Sequence, residues 1–120
     1  MEILGIDNIF FTVTNLEKAK EFYQKLGFKH KFSIPPIKAA LFSIGQEVPG
    51  LMLSERSTVT PSRLWVEVKS AKDFKHACVK LGIAGTMLET ATGLTFEVTD
   101  ASGNIIGFAD YTKKPELARK

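Results

Sequence analysis

The strongest constraint on this chain is that its sequence is written twice. Sliding it against itself lays residues 8–28 on residues 63–83 without a gap, a shift of 55 positions. The two stretches read NIFFTVTNLEKAKEFYQKLGF and RLWVEVKSAKDFKHACVKLGI, with Val13/Val68, Lys20/Lys75, Lys25/Lys80, Leu26/Leu81 and Gly27/Gly82 identical. Apolar positions match apolar ones elsewhere, so an internal duplication is expected. In each copy apolar residues first alternate, as Ile9, Phe11, Val13 and Leu64, Val66, Val68 do. They then recur at helical spacing, as at Leu16, Ala19, Phe22, Tyr23 and Leu26. The pattern predicts a strand feeding an amphipathic helix, twice.

The punctuation agrees. Thr14-x-x-Glu17 and Ser70-x-x-Asp73 offer a side-chain acceptor and a reciprocal carboxylate to the free amides of a first helical turn. Gly27 and Gly82 suit the left-handed residue that ends a helix. Period-two patterns follow over residues 29–34, 37–44 and 50–55, and again over 85–88, 94–99 and 104–111. Turns are expected at Pro35-Pro36, 45–49, 90–93 and 100–104. The order is β-α-β-β-β repeated, an α+β fold of two modules spanning about residues 5–57 and 61–112. Residues 57–62 form a linker too short to separate independent domains, so a single domain over residues 1–120 is expected, with 113–120 a polar tail that frays.

A chain of 120 residues can bury roughly two-thirds of its unfolded surface and needs no disulfide or metal to hold a core. No apolar run approaches the roughly 18 residues of a membrane span, and Met1-Glu2-Ile3 does not open a secretory leader. Cys78 is a lone cysteine and no CxxC or HExxH occurs, so neither a disulfide nor a structural zinc is expected, and the compartment expected is the cytoplasm. Sixteen Lys and Arg against 13 Asp and Glu give a net charge of +3 that is spread along the chain. Solvated surface is the reading, with neither nucleic acid nor membrane as a partner.

Several motifs carry a family resemblance: Ile6-Asp7-Asn8-Ile9 opening the first strand, Val13-x-Asn15-Leu16-Glu17-Lys18-Ala19, Phe22-Tyr23-x-x-Leu26-Gly27-Phe28, and Asp100-Ala-Ser-Gly103-Asn104 before the last strand. Over residues 5–112 the chain resembles the vicinal oxygen chelate superfamily of glyoxalase I, extradiol dioxygenases, and fosfomycin- and bleomycin-resistance proteins. The resemblance implies two βαβββ modules whose curled mixed sheet encloses a cavity, with the helices outside. It also implies metal ligands at the start of each module's first strand and on each module's last strand. Carried over, these positions fall on Asn8, Arg63 and Gly107, and in the first module on the parity of Leu51, Leu53 and Glu55. An amide, a permanent cation, a residue without a side chain and a leucine are poor donors for a divalent ion, so no metal and no other cofactor is expected. His30 and His76 do not supply the missing ligands, the first following the helix and the second sitting mid-helix beside lysines.

Alternation separates the two faces of the first strands. Ile9, Phe11 and Val13, with Leu64, Val66 and Val68, suit packing beneath helices. Asn8, Phe10, Thr12, Arg63, Trp65 and Glu67 lie on the opposite face, and Gly107 and Ala109 remove bulk there. With Phe42 and Leu53 as further apolar walls, Asn8, Phe10, Thr12, Arg63, Trp65, Glu67 and Gly107 make the candidate ligand set. Trp65 is either a platform or filler. Arg63 and Glu67 either pair with each other at a rim or face the cavity, where Arg63 would anchor a carboxylate or phosphate. Phe10, Phe42, Met52 and Met87 also read as plain core, and Cys78, aligned with Tyr23, as a small buried hydrophobe. No catalytic set is recognisable; Asp110 and Glu97 are carboxylates without an identified partner.

The leading expectation is a metal-independent, homodimeric small-molecule binder similar to bleomycin-resistance proteins. Its ligand is aromatic or amphipathic, and neutral or anionic to suit a basic chain. The competing reading is a glyoxalase- or dioxygenase-like lyase, isomerase or oxygenase using Glu55 and a displaced histidine. A third is a module whose cavity Phe10 and Trp65 themselves fill.

Overall fold

The computed structural model describes every residue except Gly5 and Val48. The first residue of the expected first module and one residue of the expected 45–49 turn therefore lie outside the described residues. The chain forms two compact units, Met1–Ser62 and Arg63–Lys120.

In the first unit, β1 (Asn8–Val13) leads into α1 (Leu16–Lys25), followed by β2 (Lys29–Ile34), β3 (Ala39–Ser43) and β4 (Gly50–Glu55). The sheet order is β1-β4-β3-β2, with β1 and β4 parallel and the other neighbours antiparallel. The parallel pair is possible because α1, β2 and β3 intervene as the crossover. Alternation on β1 turns Phe11 toward α1, where its ring meets Tyr23 edge-on at 6.3 Å, and Tyr23 meets Phe28 at 5.7 Å. Phe11, Tyr23, Phe42, Leu51 and Leu53 are fully buried in this layer. Each contributes about 1.5–3 kcal/mol by leaving water.

The second unit has the same order: β5 (Arg63–Glu67), α2 (Ala71–Lys80), β6 (Thr86–Glu89), β7 (Leu94–Thr99) and β8 (Ile105–Ala109), in a sheet ordered β5-β8-β7-β6. Phe74 of α2 stacks on Phe108 of β8 with centroids 3.9 Å apart. Cys78 is buried at the place equivalent to Tyr23, and its thiol is pushed up by that burial. Elements recur at the spacing of the sequence match: Asn8 is opposite Gly50 as Arg63 is opposite Ile105. Gly27 and Gly82 both take positive φ, 100° and 75°, just past the helix ends.

Several boundaries differ from the sequence expectation. The first N-cap is Asn15, not Thr14: its side chain accepts the Lys18 amide, while Ser70 accepts that of Asp73 as expected. The strand expected from residue 37 starts at Ala39, because the two prolines fix a tight 3-10 turn, Pro35–Ile37, closed by Lys38 at φ 50°. A register shift between His30 and Phe32 interrupts the alternation of β2. The tail, expected to fray, folds back on its unit: Pro115–Leu117 forms a 3-10 turn and Arg119 bonds to Glu67 through its amide and its guanidinium.

The last expected strand ends at Ala109, and Asp110, whose amide still donates to the Leu94 carbonyl at 2.8 Å, turns its carboxylate to the start of a helix. Its Oδ2 accepts the Ala71 amide at 2.8 Å, and its Oδ1 accepts the Leu94 amide and the Thr112 hydroxyl, both at 2.8 Å. Glu55 does the same one unit earlier, its Oε1 accepting the Leu16 amide at 2.9 Å. A carboxylate there satisfies a free N–H of the first turn and meets the positive end of the helix dipole. Burial opposes ionisation of Asp110, but those hydrogen bonds outweigh it and hold its carboxyl below the ordinary 3.8. The Leu16 amide, with Lys38 3.5 Å away, holds Glu55 below 4.5.

Both folded-state values being depressed, the ionised carboxylates contribute stability that is complete above the unfolded values, about pH 4, and lost as pH falls through the folded ones. Urea midpoints measured from neutral pH downward are expected to hold until about pH 4–5 and then drop. Replacing Asp110 by alanine leaves buried N–H groups unsatisfied and is expected to cost about 2–4 kcal/mol at neutral pH and to flatten that acid limb.

Candidate ligand-binding face

Register fixes which side chains share a face. Trp65 is opposite Gly107, which is opposite Glu97; Glu67 is opposite Ala109, which is opposite Thr95. Phe96 and Phe108 have the other parity and pack toward α2. The helix-free face of the second unit thus gathers Arg63, Trp65, Glu67, Glu97, Thr95, Gly107 and Ala109.

At its centre is a clamped indole. A Cβ built on Gly107 would lie 2.6 Å from Trp65 Nε1 and 2.9 Å from its Cγ, so the ring lies flat over the space a side chain would need. Trp65 Nε1 donates to Glu97 Oε2 at 2.7 Å. Arg63 grips the same carboxylate through Nε to Oε2 and Nη2 to Oε1, both at 2.9 Å. Glu97 is nearly enclosed, its side chain 10% exposed, and the pairing with Arg63 together with the indole N–H satisfies the charge that burial would otherwise penalise. Trp65 still shows 43% of its surface.

Arg63 and Glu67 do not pair with each other. Arg63 takes Glu97, and Glu67 takes Arg119, with Nη1 to Oε1 at 2.7 Å and the Arg119 amide to Oε2 at 2.9 Å. The Arg119 amide foremost, then its guanidinium, holds the Glu67 carboxyl below its ordinary range. Thr95 is fully buried on this face, and its hydroxyl has no hydrogen-bond partner among the described residues. The sequence marked Glu97 only as an unpaired carboxylate and gave no sign of Thr95 or Arg119. Parity from Gly107 through β7 would have reached Glu97, but the register of β7 is not legible in one sequence.

In the first unit the helix-free face carries Asn8, Phe10 and Thr12 as expected. Phe10 is 60% exposed and stands in a transverse row with Met52, Leu41 and Phe32, one residue from each strand. Asn8 is partly committed to the fold, its Oδ1 accepting the Gly50 amide at 3.1 Å. The Thr12 hydroxyl accepts the Thr60 amide at 2.8 Å and so ties down the linker. Phe42 and Leu53 lie on the other side. Leu53 is opposite Phe11, and Phe42 is opposite Leu51, all buried in the helix-facing layer. The parity read on the last strand of this unit was therefore one residue off, and Gly50, Met52 and Ser54 are the residues on the open face. Glu55, the one carboxylate that reading offered, belongs to α1.

A divalent cation is not suited by these positions. Arg63 brings a fixed positive charge already paired, Gly107 is covered by the indole, and Met52, at the place equivalent to Gly107, offers a thioether. Among the described residues no three His, Cys, Asp or Glu side chains converge.

A model of the Glyoxalase/Bleomycin resistance protein/Dioxygenase superfamily matches residues 5–108. Solved structures share the fold. An antibiotic binding protein from Streptomyces sp. CB03234 superimposes with a TM-score of 0.82 at 21% identity, covering 93% of this chain and 99% of that one. A genomically encoded fosfomycin resistance protein from Listeria monocytogenes gives 0.79 at 17%, covering 98% and 100%. A lactoylglutathione lyase from Agrobacterium tumefaciens gives 0.78 at 15%, covering 96% and 99%. No curated protein matches the sequence significantly. At these identities the structural likeness establishes the fold.

Gly107→Ala is expected to lift the indole from the sheet and break its bond to Glu97. Trp65 is the single tryptophan, so the emission maximum should move to the red, with about 1–3 kcal/mol of stability lost to overpacking. An unshifted spectrum would contradict the clamp.

Proposed function

We propose that this chain, which belongs to the Glyoxalase/Bleomycin resistance protein/Dioxygenase superfamily, is a metal-independent small-molecule binding protein that holds an aromatic or amphipathic ligand against Trp65. The clamped indole carries this reading. Held at its N–H by Glu97 and from beneath by the bare Gly107, the ring offers a half-exposed platform that loses little freedom when a ligand stacks on it. Arg63 spends Nε and Nη2 on Glu97 and keeps Nη1 for a ligand oxygen. Both carboxylates on the face are neutralised within the protein, which favours a neutral or anionic ligand over a cationic one, as does the net charge of +3. The antibiotic-binding and fosfomycin-resistance proteins that share the fold support a small molecule as the ligand class. The donor set at Asn8, Arg63 and Gly107 supports metal independence. We place the protein in the cytoplasm, as one domain acting in a homodimer; the buried Cys78 thiol needs no oxidising compartment.

Titration with neutral and anionic aromatic compounds, followed by Trp65 emission, tests the reading. Saturable quenching with micromolar dissociation constants is expected, unchanged by chelator and weakened at least tenfold in Trp65→Ala. No saturable binding anywhere in the panel would overturn it. So would a stoichiometric metal whose removal abolishes binding or reveals turnover, and that result would establish the lyase or oxygenase reading instead.

A further inference from the structure

A guanidinium carries five N–H donors in a fixed planar arrangement. In Arg63 the edge formed by Nε and Nη2 is filled: Nε donates to Glu97 Oε2 and Nη2 to Oε1, both at 2.9 Å. Three donors are left over, the second N–H of Nη2 and both of Nη1. None of them has a hydrogen-bond partner among the described residues, and the Arg63 side chain is 59% exposed. The free N–H of Nη2 and the nearer one of Nη1 point in parallel along the adjacent edge. They form a second fork, turned about 120° in the plane from the one that Glu97 fills. Because Glu97 already holds that plane, the second fork is set before any ligand arrives.

The open fork is beside the indole. Trp65 Nε1 donates to Glu97 Oε2 at 2.7 Å, the same oxygen that takes Arg63 Nε, so a single atom joins the pyrrole edge of the platform to the guanidinium. The other carboxylate on this face, Glu67, is held by Arg119, and the row that Arg63 shares across the sheet carries the uncharged Ile105 and Thr99. A carboxylate matches two parallel N–H donors and fills both. A neutral amide of the same shape offers one oxygen and turns its own N–H toward the second donor. We propose that the open fork of Arg63 selects the ligand as a flat aromatic carboxylate, with its ring on Trp65 and its acid group on Nη1 and Nη2. Arg63 then sets specificity, and Glu97 is the positioning residue that orients it. The inference rests on Trp65 being the ligand platform and narrows what that platform takes.

Calorimetric titration of the full chain with 2-naphthoate and with its neutral isostere 2-naphthamide tests the assignment. The readout is the ratio of the two dissociation constants within each protein, so a weakening of the platform that both probes share cancels. The parent chain is expected to bind the carboxylate about tenfold more tightly than the amide. Arg63→Lys keeps the positive charge but has no planar fork, and the preference should fall to about threefold or less. A second measurement needs no variant: in nitrogen NMR of the parent chain, the Arg63 Nη resonances should shift on saturation with naphthoate and stay in place with naphthamide. Equal affinities for the two probes, a preference kept in full by Arg63→Lys, or Nη resonances indifferent to naphthoate would overturn the assignment while leaving the platform standing. Binding of neither probe by the parent chain would overturn the platform and the assignment with it.

Discussion

The contact on which each unit depends is a carboxylate at the end of its last strand accepting the first amide of its own helix. Glu55 holds Leu16, and Asp110 holds Ala71. The bond does more than cap a helix. It pins the helix start to the strand that lies parallel beside the unit's first strand, so it sets which parity of β4 and β8 lies beneath the helix and which is left open. Once Glu55 is turned toward α1, Leu53 and Leu51 must follow it, and Met52 and Gly50 must lie on the other face. The same logic on β8 places Phe108 and Ile106 inward and Gly107 and Ala109 outward.

The two copies use this frame differently. Asp110 is buried and gathers amides from two elements as well as a hydroxyl, so it organises the whole edge of its unit. Glu55 is partly exposed and shares its charge with Lys38. The open faces diverge more sharply. Phe10 stands opposite Met52, two flexible or apolar groups with no polar hold on either. Trp65 stands opposite Gly107, the largest side chain on the smallest, and the indole N–H is held by the Glu97 carboxylate.

Proteins of the same fold include an antibiotic binding protein, a fosfomycin resistance protein and a lactoylglutathione lyase. The fold hosts distinct functions, so the fold alone does not set which one a chain performs. Here the open face of the second unit carries a half-exposed indole, a guanidinium paired through Nε and Nη2, and carboxylates paired within the protein.

The sequence by itself determined the element order, the 55-residue recurrence, the glycines past each helix and the family, because each depends on local periodicity or on a turn that only certain residues can make. It also separated the faces of the first strands, since Phe11 and Val13 alternate cleanly with Phe10 and Thr12. It misplaced Phe42 and Leu53, and it left Glu97 without a partner. Both depend on register, a choice between strands far apart in the chain that hydrophobic runs such as Leu51–Leu53 do not encode. The Arg119–Glu67 pair was invisible for a related reason: a charged tail looks solvated until the fold brings it, 52 residues on, back over the strand that holds its partner. Local rules fixed the parts. Only the tertiary structure decided which of them face one another, because that choice is made by packing and long-range pairing.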